Sequence, residues 1–422
     1  MELIVRLCYN RNMKKIIFFV FAIFLILPFF SCKKQKAPAS DGAVVLRFAS
    51  WRPDDVKELG ALFDIFHQQH PDISISLEAV EPTEYNADIL KKLQEGRAPD
   101  LICVRSFATG ESLYAAGYLS DCSWLPSFRQ AFNDSSRAAW LAADGKEYAV
   151  PFTAVSHGMY FNKTVFQKEG LAIPQTWEDF MQLCSVLKSK GYIPIANGFG
   201  DRWDILECLF LGGIVPDFVG GSREREKYEN KVLPLNDEHF VEAYKAIASI
   251  GPYLADDADK VSYEEAKRRF IEQKAVMLMD GSWSAGIFSA SDLEWSVFAL
   301  PAPKDRQTIV CFHPDMAVAM NTKSTHQKEA RAFLTWLCTV NGAKAVADSL
   351  PSGYFPVSVY NLPLSDVNAN RFLRLNKGRD IDVRFIWPKL IKLYEPMNEA
   401  VIEVLQRTMT PRQAADYVAG SM

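Results

Sequence analysis

Residues 44–104 alternate between two hydrophobic patterns, and this alternation limits the fold more than any other feature of the chain. Val44-Val45-Leu46-Arg47-Phe48-Ala49 is a short β-rich run, broken by Trp51-Arg52-Pro53-Asp54. Residues 55–70 then place Leu59, Leu62, Phe63 and Phe66 at helical spacing. Pro71-Asp72 punctuates, and Ile73-Ser74-Ile75-Ser76-Leu77 alternates with the period of two that marks a strand. Residues 85–96 are again helical and stop at a glycine. Asp100-Leu101-Ile102-Cys103-Val104 is a continuous apolar run of the kind buried on both faces. A β-α-β-α-β opening of this kind predicts an α/β unit around a mostly parallel sheet.

The alternation continues through the rest of the 422 residues. Strands are expected at 145–151, 158–161, 276–279, 295–300 and 316–320. Helices are expected at 177–190, where Phe180, Leu183, Cys184 and Leu187 share a face, at 328–338, at 342–349 and at 390–409. Gly220-Gly221-Ser222 and the polar residues 223–231 read as a surface loop. No internal repeat and no long low-complexity stretch is present. The length allows two or three domain-sized units with real cores. A charged fraction of 23% and a hydrophobic fraction of 49% exclude wholesale disorder. A net charge of −4 gives no basic surface for nucleic acid.

The N-terminus reads as an address rather than as part of the fold. Met13-Lys14-Lys15 precedes fifteen uncharged residues, 16–30, shorter than the about 20 that a spanning helix needs. Ser31-Cys32 ends the run and Lys33-Lys34-Gln35-Lys36 follows. A small residue before a cysteine at this place resembles a bacterial lipobox, although Phe29 and Phe30 stand where the pattern has leucine and a small residue. The resemblance implies a signal peptide over 1–31, lipidation of Cys32 and a tether over 32–42. It places the protein on a membrane by its lipid, facing the periplasm or the outside. An uncleaved signal anchor is the alternative. Residues 1–31 hold four bases and one acid, so the remainder carries −7. Six cysteines remain after Cys8 and Cys32, with no CxxC, and read as buried thiols rather than bridges.

Seven segments, in order along residues 44–420, resemble the family 1 extracellular solute-binding proteins of ABC importers, the sugar-binding group related to maltose-binding protein. Gly96-Arg97-Ala98-Pro99-Asp100-Leu101 matches its G-x-x-P-D followed by an aliphatic residue, and Ala116-Gly117-Tyr118-Leu119 its A-G-x-L. Asp144-Gly145-Lys146-Glu147-Tyr148-Ala149-Val150-Pro151 matches D-G-K-x-Y-x-x-P, and Tyr160-Phe161-Asn162-Lys163 with Phe166 matches Y-Y-N-K-x-x-F. Pro174-Gln175-Thr176-Trp177-Glu178-Asp179-Phe180 and Ala275-Val276-Met277-Leu278-Met279-Asp280-Gly281-Ser282-Trp283 follow the family's patterns there. The 330–337 segment is similar to its terminal helix. The resemblance implies an α/β, two-lobed periplasmic-binding-protein fold (type II-like) with a ligand cleft between lobes joined by hinge crossings. It implies an N-lobe over 41–153 plus 282–349 and a C-lobe over 154–281 plus 350–422. It also implies a sugar ligand, closure on that ligand and delivery to the permease subunits of an ABC importer by a monomer.

Sugars combine hydroxyl rims with C–H faces, so a site for them needs aromatic planes beside charged groups. The candidates lie mainly in loops after strands. Trp51 and Arg52 follow the first strand, with a packed indole and a solvated arginine as the alternative. Arg105 follows the 100–104 strand, where the family often presents a ligand-contacting side chain. Phe152 sits at the crossing, with hinge packing as the alternative. Asp201 and Trp203 belong to a loop of the G-x-x-x-W type, or else cap and fill the first turn of a helix. Asp280 and Trp283 flank a glycine that permits close backbone approach, and Trp283 either stacks on ligand or plugs the hinge. His313 and Asp315 stand where the family has a glycine-rich loop, and Tyr354 and Tyr394 complete the set.

No catalytic, metal or cofactor pattern is expected. Gly145-Lys146 lacks the Ser or Thr of a P-loop, and Ser282-Trp283-Ser284-Ala285-Gly286 lacks the first glycine of a nucleophile elbow. Ser185-Val186-Leu187-Lys188 stands without the partner motifs of β-lactamases. His67 and His70 read as a solvated helix face. The expectation is a non-catalytic binding protein. The alternatives are an anionic solute held by Arg52, Arg105 and Arg202, a polyamine held by the acids, an exported glycoside hydrolase, and a chemoreceptor-linked binding protein.

Overall fold

The computed structural model describes residues 43–360 and 362–422. The leader, Cys32 and the tether lie outside the described residues. Ten strands form the frame: β1 (Val44–Ser50), β2 (Ile73–Ala79), β3 (Leu101–Arg105), β4 (Val150–Asn162), β5 (Ile193–Ile195), β6 (Ala275–Gly281), β7 (Trp295–Phe298), β8 (Ile309–Met320), β9 (Phe355–Pro356) and β10 (Asp380–Asp382). Their order is β2-β1-β3-β8-β4-β6-β5, with β7 and β9 on β4 and β10 on β8.

The opening β-α-β-α-β unit is as the hydrophobic pattern indicates. β1 pairs parallel with β2 and β3, and the intervening helices are Val56–Gln69 and Tyr85–Gln94. Leu59, Leu62, Phe63 and Phe66 form the buried face of the first helix. The sheet as a whole is mixed rather than mostly parallel. β3–β8, β8–β4, β4–β6 and β4–β7 are all antiparallel. The reason lies in two long strands, β4 and β8, that run against each other and against β3, β6 and β7. The parallel pairs are β1–β2, β1–β3 and β5–β6, with the short β10 parallel to β8.

β4 joins two cores. Val150, Phe152 and Val155 belong to the core that includes β1, β3 and the far end of β8. Met159 and Phe161 belong to the core built on the helices Trp177–Ser189, Glu238–Ile250, Tyr394–Leu405 and Pro411–Gly420. A smaller third cluster surrounds Tyr160, Phe270, Phe288 and Phe372. β7 pairs with Met159 to Asn162 of β4 and packs with these latter clusters.

Three sequence expectations change, and one element was not anticipated. The two strands expected at 145–151 and 158–161 are one continuous β4. Gly145 takes φ +81 in a turn closed by a Leu141–Glu147 bridge, which keeps residues 145–149 out of the ladder. The loop expected at 220–231 is instead a helix, Gly221–Glu229. Arg225 pairs there with Glu229 and Asp382, and Tyr228 is buried, so a run polar by composition still has an inner face. His313, Pro314 and Asp315 lie inside β8, not ahead of a strand that starts at Met316. A proline is tolerated there because β4 shifts register opposite it, between Pro151 and Ala154. The buried π-helical segment Ile205–Ile214 had no periodicity to mark it, since nine of its residues are buried.

Other local signals hold. The helix expected at 177–190 is Trp177–Ser189, and the structure adds a reciprocal capping box of Thr176 and Asp179 at its start. Cys103, Cys122, Cys184, Cys208, Cys311 and Cys338 are all buried free thiols. Among the described residues no single helix is long and apolar enough to cross a membrane.

Candidate functional site

Where β4 passes from one core to the other, two groups of polar and aromatic side chains face each other. The first group stands on β1, β3 and β8. Arg52, just beyond β1, makes a bidentate contact with Asp55, Nε to Oδ2 at 2.8 Å and Nη2 to Oδ1 at 3.0 Å. Its guanidinium lies 5.2 Å from the centre of the buried Tyr354 ring. Arg105, at the end of β3, lies 4.6 Å over the Trp51 ring and donates to Asn86 Oδ1 and the Pro82 carbonyl. Trp51 is buried, with Tyr85 against its edge at 5.5 Å. Asp315 on β8 is half-buried and makes no ion pair among the described residues. Burial pushes its carboxyl up, while the fields of Arg105, Arg384 and Arg52 pull it down less strongly.

The second group stands on the other core. Arg384 is buried and ion-paired with Glu207, whose other oxygen accepts from Tyr394 Oη at 2.8 Å. The Arg384 guanidinium sits 4.1 Å from the Trp387 ring centre and 5.7 Å from that of Trp283. Both indoles are half-buried. Trp283 Nε1 donates to Tyr263 Oη at 2.7 Å, and Tyr263 Oη donates to Asp280 Oδ2 at 2.9 Å. Trp203 packs on the Tyr263 ring at 4.7 Å. Three indoles, Trp203, Trp283 and Trp387, are therefore held around one locus by hydrogen bonds and ring contacts rather than by loops alone.

The remaining candidates occupy different roles. Phe152 is buried in the first core beside the register shift. Asp280 is buried and accepts from Tyr263, Ser284, Cys208 and the Gly281 amide, with burial raising its carboxyl. Gly281 is required for close approach, not for a left-handed backbone. Its φ is −82, and a Cβ there would fall 2.0 Å from the Trp283 ring. Asp201 is exposed and accepts the Tyr263 amide at 2.9 Å, holding the start of the helix Tyr263–Ile271. His313 is buried, 3.2 Å from His157 Nε2 through its own Nε2, and burial lowers it to about 3.

Sequence reasoning missed Glu207, Arg384, Trp387 and Tyr263. Nothing local marks them. Arg384 and Trp387 lie in the segment between β10 and the helix Tyr394–Leu405, and only the tertiary fold brings them to Glu207 and His313. Asp204, also missed, is fully buried with neither carboxyl oxygen partnered. Burial first, then Asp280 and Asp201, push it up to about 8.

Charge accounting limits what the locus can hold. Arg52 is matched by Asp55 and Arg384 by Glu207, leaving one cation, Arg105, beside Asp315, with Asp280 and Asp204 buried beneath the indoles and both raised by burial. The locus therefore offers hydrogen-bonding edges and aromatic faces without an excess of unmatched positive charge. His157, Cys311 and His313 bring ligand-type atoms within 4.8 Å of one another. Arg384 Nη2 lies 3.3 Å from His157 Nε2, so a cation held there would meet a fixed guanidinium.

Comparison with known proteins agrees with this architecture. Residues 49–343 match the family model described as bacterial extracellular solute-binding protein. The multiple sugar-binding protein of Streptococcus mutans is 25% identical over 329 residues, covering 75% of this chain and 77% of that protein. The maltotriose-binding protein of Pyrococcus abyssi is 26% identical over 333 residues, covering 76% and 68%. A solved structure from a study of xylan utilization by Caldanaerobius polysaccharolyticus superposes with a TM-score of 0.78 at 18% identity. That match covers 90% of this chain and all of the other. The fold is the α/β, two-lobed solute-binding type.

Proposed function

Because the chain belongs to the bacterial extracellular solute-binding protein family, we propose that it is the receptor of an ABC importer for an uncharged sugar. The observation that carries this reading is the charge-matched locus at the crossing. Arg52 and the buried Arg384 each have a carboxylate of their own there, and three indoles stand around the locus. An uncharged ring with hydroxyl rims suits such a surface: its C–H faces lie on indole planes and its hydroxyls take the open edges of charged groups. An anionic solute would need an unmatched arginine beyond Arg105, and Asp315 offsets that one. The names of the relatives, which speak of multiple sugars and maltotriose, support the sugar class.

In this reading Trp203, Trp283 and Trp387 supply stacking faces. Asp315, Arg105, Arg52, Glu207 and Tyr394 supply hydrogen bonds. Phe152, Asp280, His313, Trp51 and Tyr354 hold the frame beneath them, and Asp201 holds the helix that carries Tyr263. Ligand binds both lobes and stabilises the closed arrangement through its differential affinity. The lobes would divide at 41–153 with 282–349 and at 154–281 with 350–422. The family is extracytoplasmic. A lipid on Cys32 would keep a monomeric receptor beside its permease, and binding would involve no turnover.

A thermal-shift screen of the purified chain tests the ligand class. Mono- and oligosaccharides, sugar alcohols and organic anions are compared. Stabilisation by at least one uncharged sugar is expected, since a ligand at about a hundred times its Kd adds about 2.7 kcal/mol. Stabilisation by anions alone would overturn the reading.

A further inference from the structure

Distinct in its lining from the matched arginines, a groove of about 380 Å³ is bordered by three arginines, Arg371, Arg374 and Arg379. The rest of its wall comes from β7 and its flank, from Thr308 just ahead of β8, and from Ile173-Pro174-Gln175. No Asp or Glu lines it, on a chain where acids outnumber bases by 51 to 47. None of the three arginines pairs with a carboxylate among the described residues. Most other arginines do, as Arg47, Arg97, Arg137, Arg225, Arg268, Arg269, Arg306 and Arg412 show.

Two of the three are also held in place. Arg371 and Arg374 are one turn apart on the helix Val367–Asn376 and so share a face. Arg371 stacks 4.4 Å over the Trp295 ring. Gly378, at φ +75, turns the chain beyond the helix, and Arg379 Nη1 donates back to the Leu375 carbonyl at 2.6 Å. Two neighbouring acids do not cancel the set. Asp380 is exposed on β10. Asp217 is buried and accepts the Ile309 amide, and burial pushes it well up despite Arg379 and Arg306.

We infer that this groove is an anion site for a phosphoryl group, separate from the sugar locus. Three unmatched guanidiniums around one cavity give the forked donors that phosphate oxygens take best. Ser296, Thr308 and Gln175 line the same groove and add neutral polar groups. The group arrives either as a free phosphate compound or as the headgroup of an anionic lipid, and the chemistry of capture is the same.

The purified full chain is titrated by calorimetry with inorganic phosphate and with pyrophosphate. In parallel it is sedimented with phosphatidylcholine vesicles carrying about 30% phosphatidylglycerol. The variants are Arg374→Gln, the double Arg374→Gln/Arg379→Gln, and Arg331→Gln as an exposed arginine elsewhere. Difference from the parent is the readout, because the N-terminal segment is common to all. Loss of about tenfold in affinity in the double variant, with Arg331→Gln unchanged, is the expected result. Loss seen with pyrophosphate or phosphate assigns a soluble ligand, and loss seen only with vesicles assigns a lipid headgroup. If the double variant does not fold, the exposed single Arg374→Gln gives the same comparison. Equal binding by parent and variants, an equal loss in Arg331→Gln, or no binding of any probe to the parent would overturn the site. Sugar binding is expected to be unchanged throughout, so this result and the proposed function fail independently.

Discussion

The same residue type is used in opposite ways at two places. At the strand crossing, Arg52 and Arg384 are each matched by a carboxylate and enclosed by aromatic rings. In the groove beside the helix Val367–Asn376, Arg371, Arg374 and Arg379 make no ion pair with a carboxylate among the described residues. The first arrangement removes the field and keeps the geometry of the donors, which suits an uncharged ligand. The second keeps the field, which suits an anion. A count of arginines says nothing about ligand charge until each has been assigned its partner.

The comparison can be broken at its strongest point first. Glu207→Gln leaves a buried guanidinium unmatched. It is expected to cost about 3–5 kcal/mol in urea unfolding, and a loss below about 1 kcal/mol would mean that water reaches Arg384. Next comes ligand affinity. Asp315→Asn and Trp283→Ala are each expected to weaken sugar binding by about 10–100-fold, equivalent to about 1.5–3 kcal/mol, in a fluorescence titration. Binding unchanged in both would place the ligand elsewhere. Asp315→Asn leaves stability at neutral pH the same or higher, because burial already disfavours its charge.

A smaller effect per unit of pH comes from Asp204. Its folded value is raised from 3.8 to about 8, so the native state holds a proton that the unfolded chain releases. The stability this provides is full below the unfolded value and is lost as pH rises through the folded one. The slope reaches up to about 1.4 kcal/mol per pH unit. Asp204→Asn is expected to flatten that fall between about pH 4 and pH 8. An unaltered slope in urea titrations across that range would assign it to other groups. The smallest change is expected for Arg374→Gln, exposed and unpaired, whose stability stays within about 0.5 kcal/mol of the parent.

Much of the frame was legible in the sequence because it rests on periodicity and short motifs. The 55–70 helix, the 73–77 strand and the 177–190 helix are each written in neighbouring residues. What was not legible depends on partners far along the chain. Residues 223–231 looked like a loop because the inner face of their helix is made by Arg225 reaching Asp382. Ile205–Ile214 had no polar face to reveal a period. In the candidate site, Trp203 and Trp283 were candidates by motif and Asp315 by its place ahead of the strand expected at 316–320. Arg384 and Trp387 were not, since their place beside Glu207 and His313 arises only on folding. His313 was a candidate because it stands where the family has a glycine-rich loop, and it lies buried against His157.

The most direct test of the central claim is the salt dependence of ligand binding. Tryptophan fluorescence is titrated with the best uncharged sugar from the screen, and with the corresponding sugar acid, at low and at about 1 M salt. A charge-matched site is expected to bind the uncharged sugar saturably, with an affinity nearly independent of salt, and the acid more weakly. Tighter binding of the acid, lost at high salt, would contradict it.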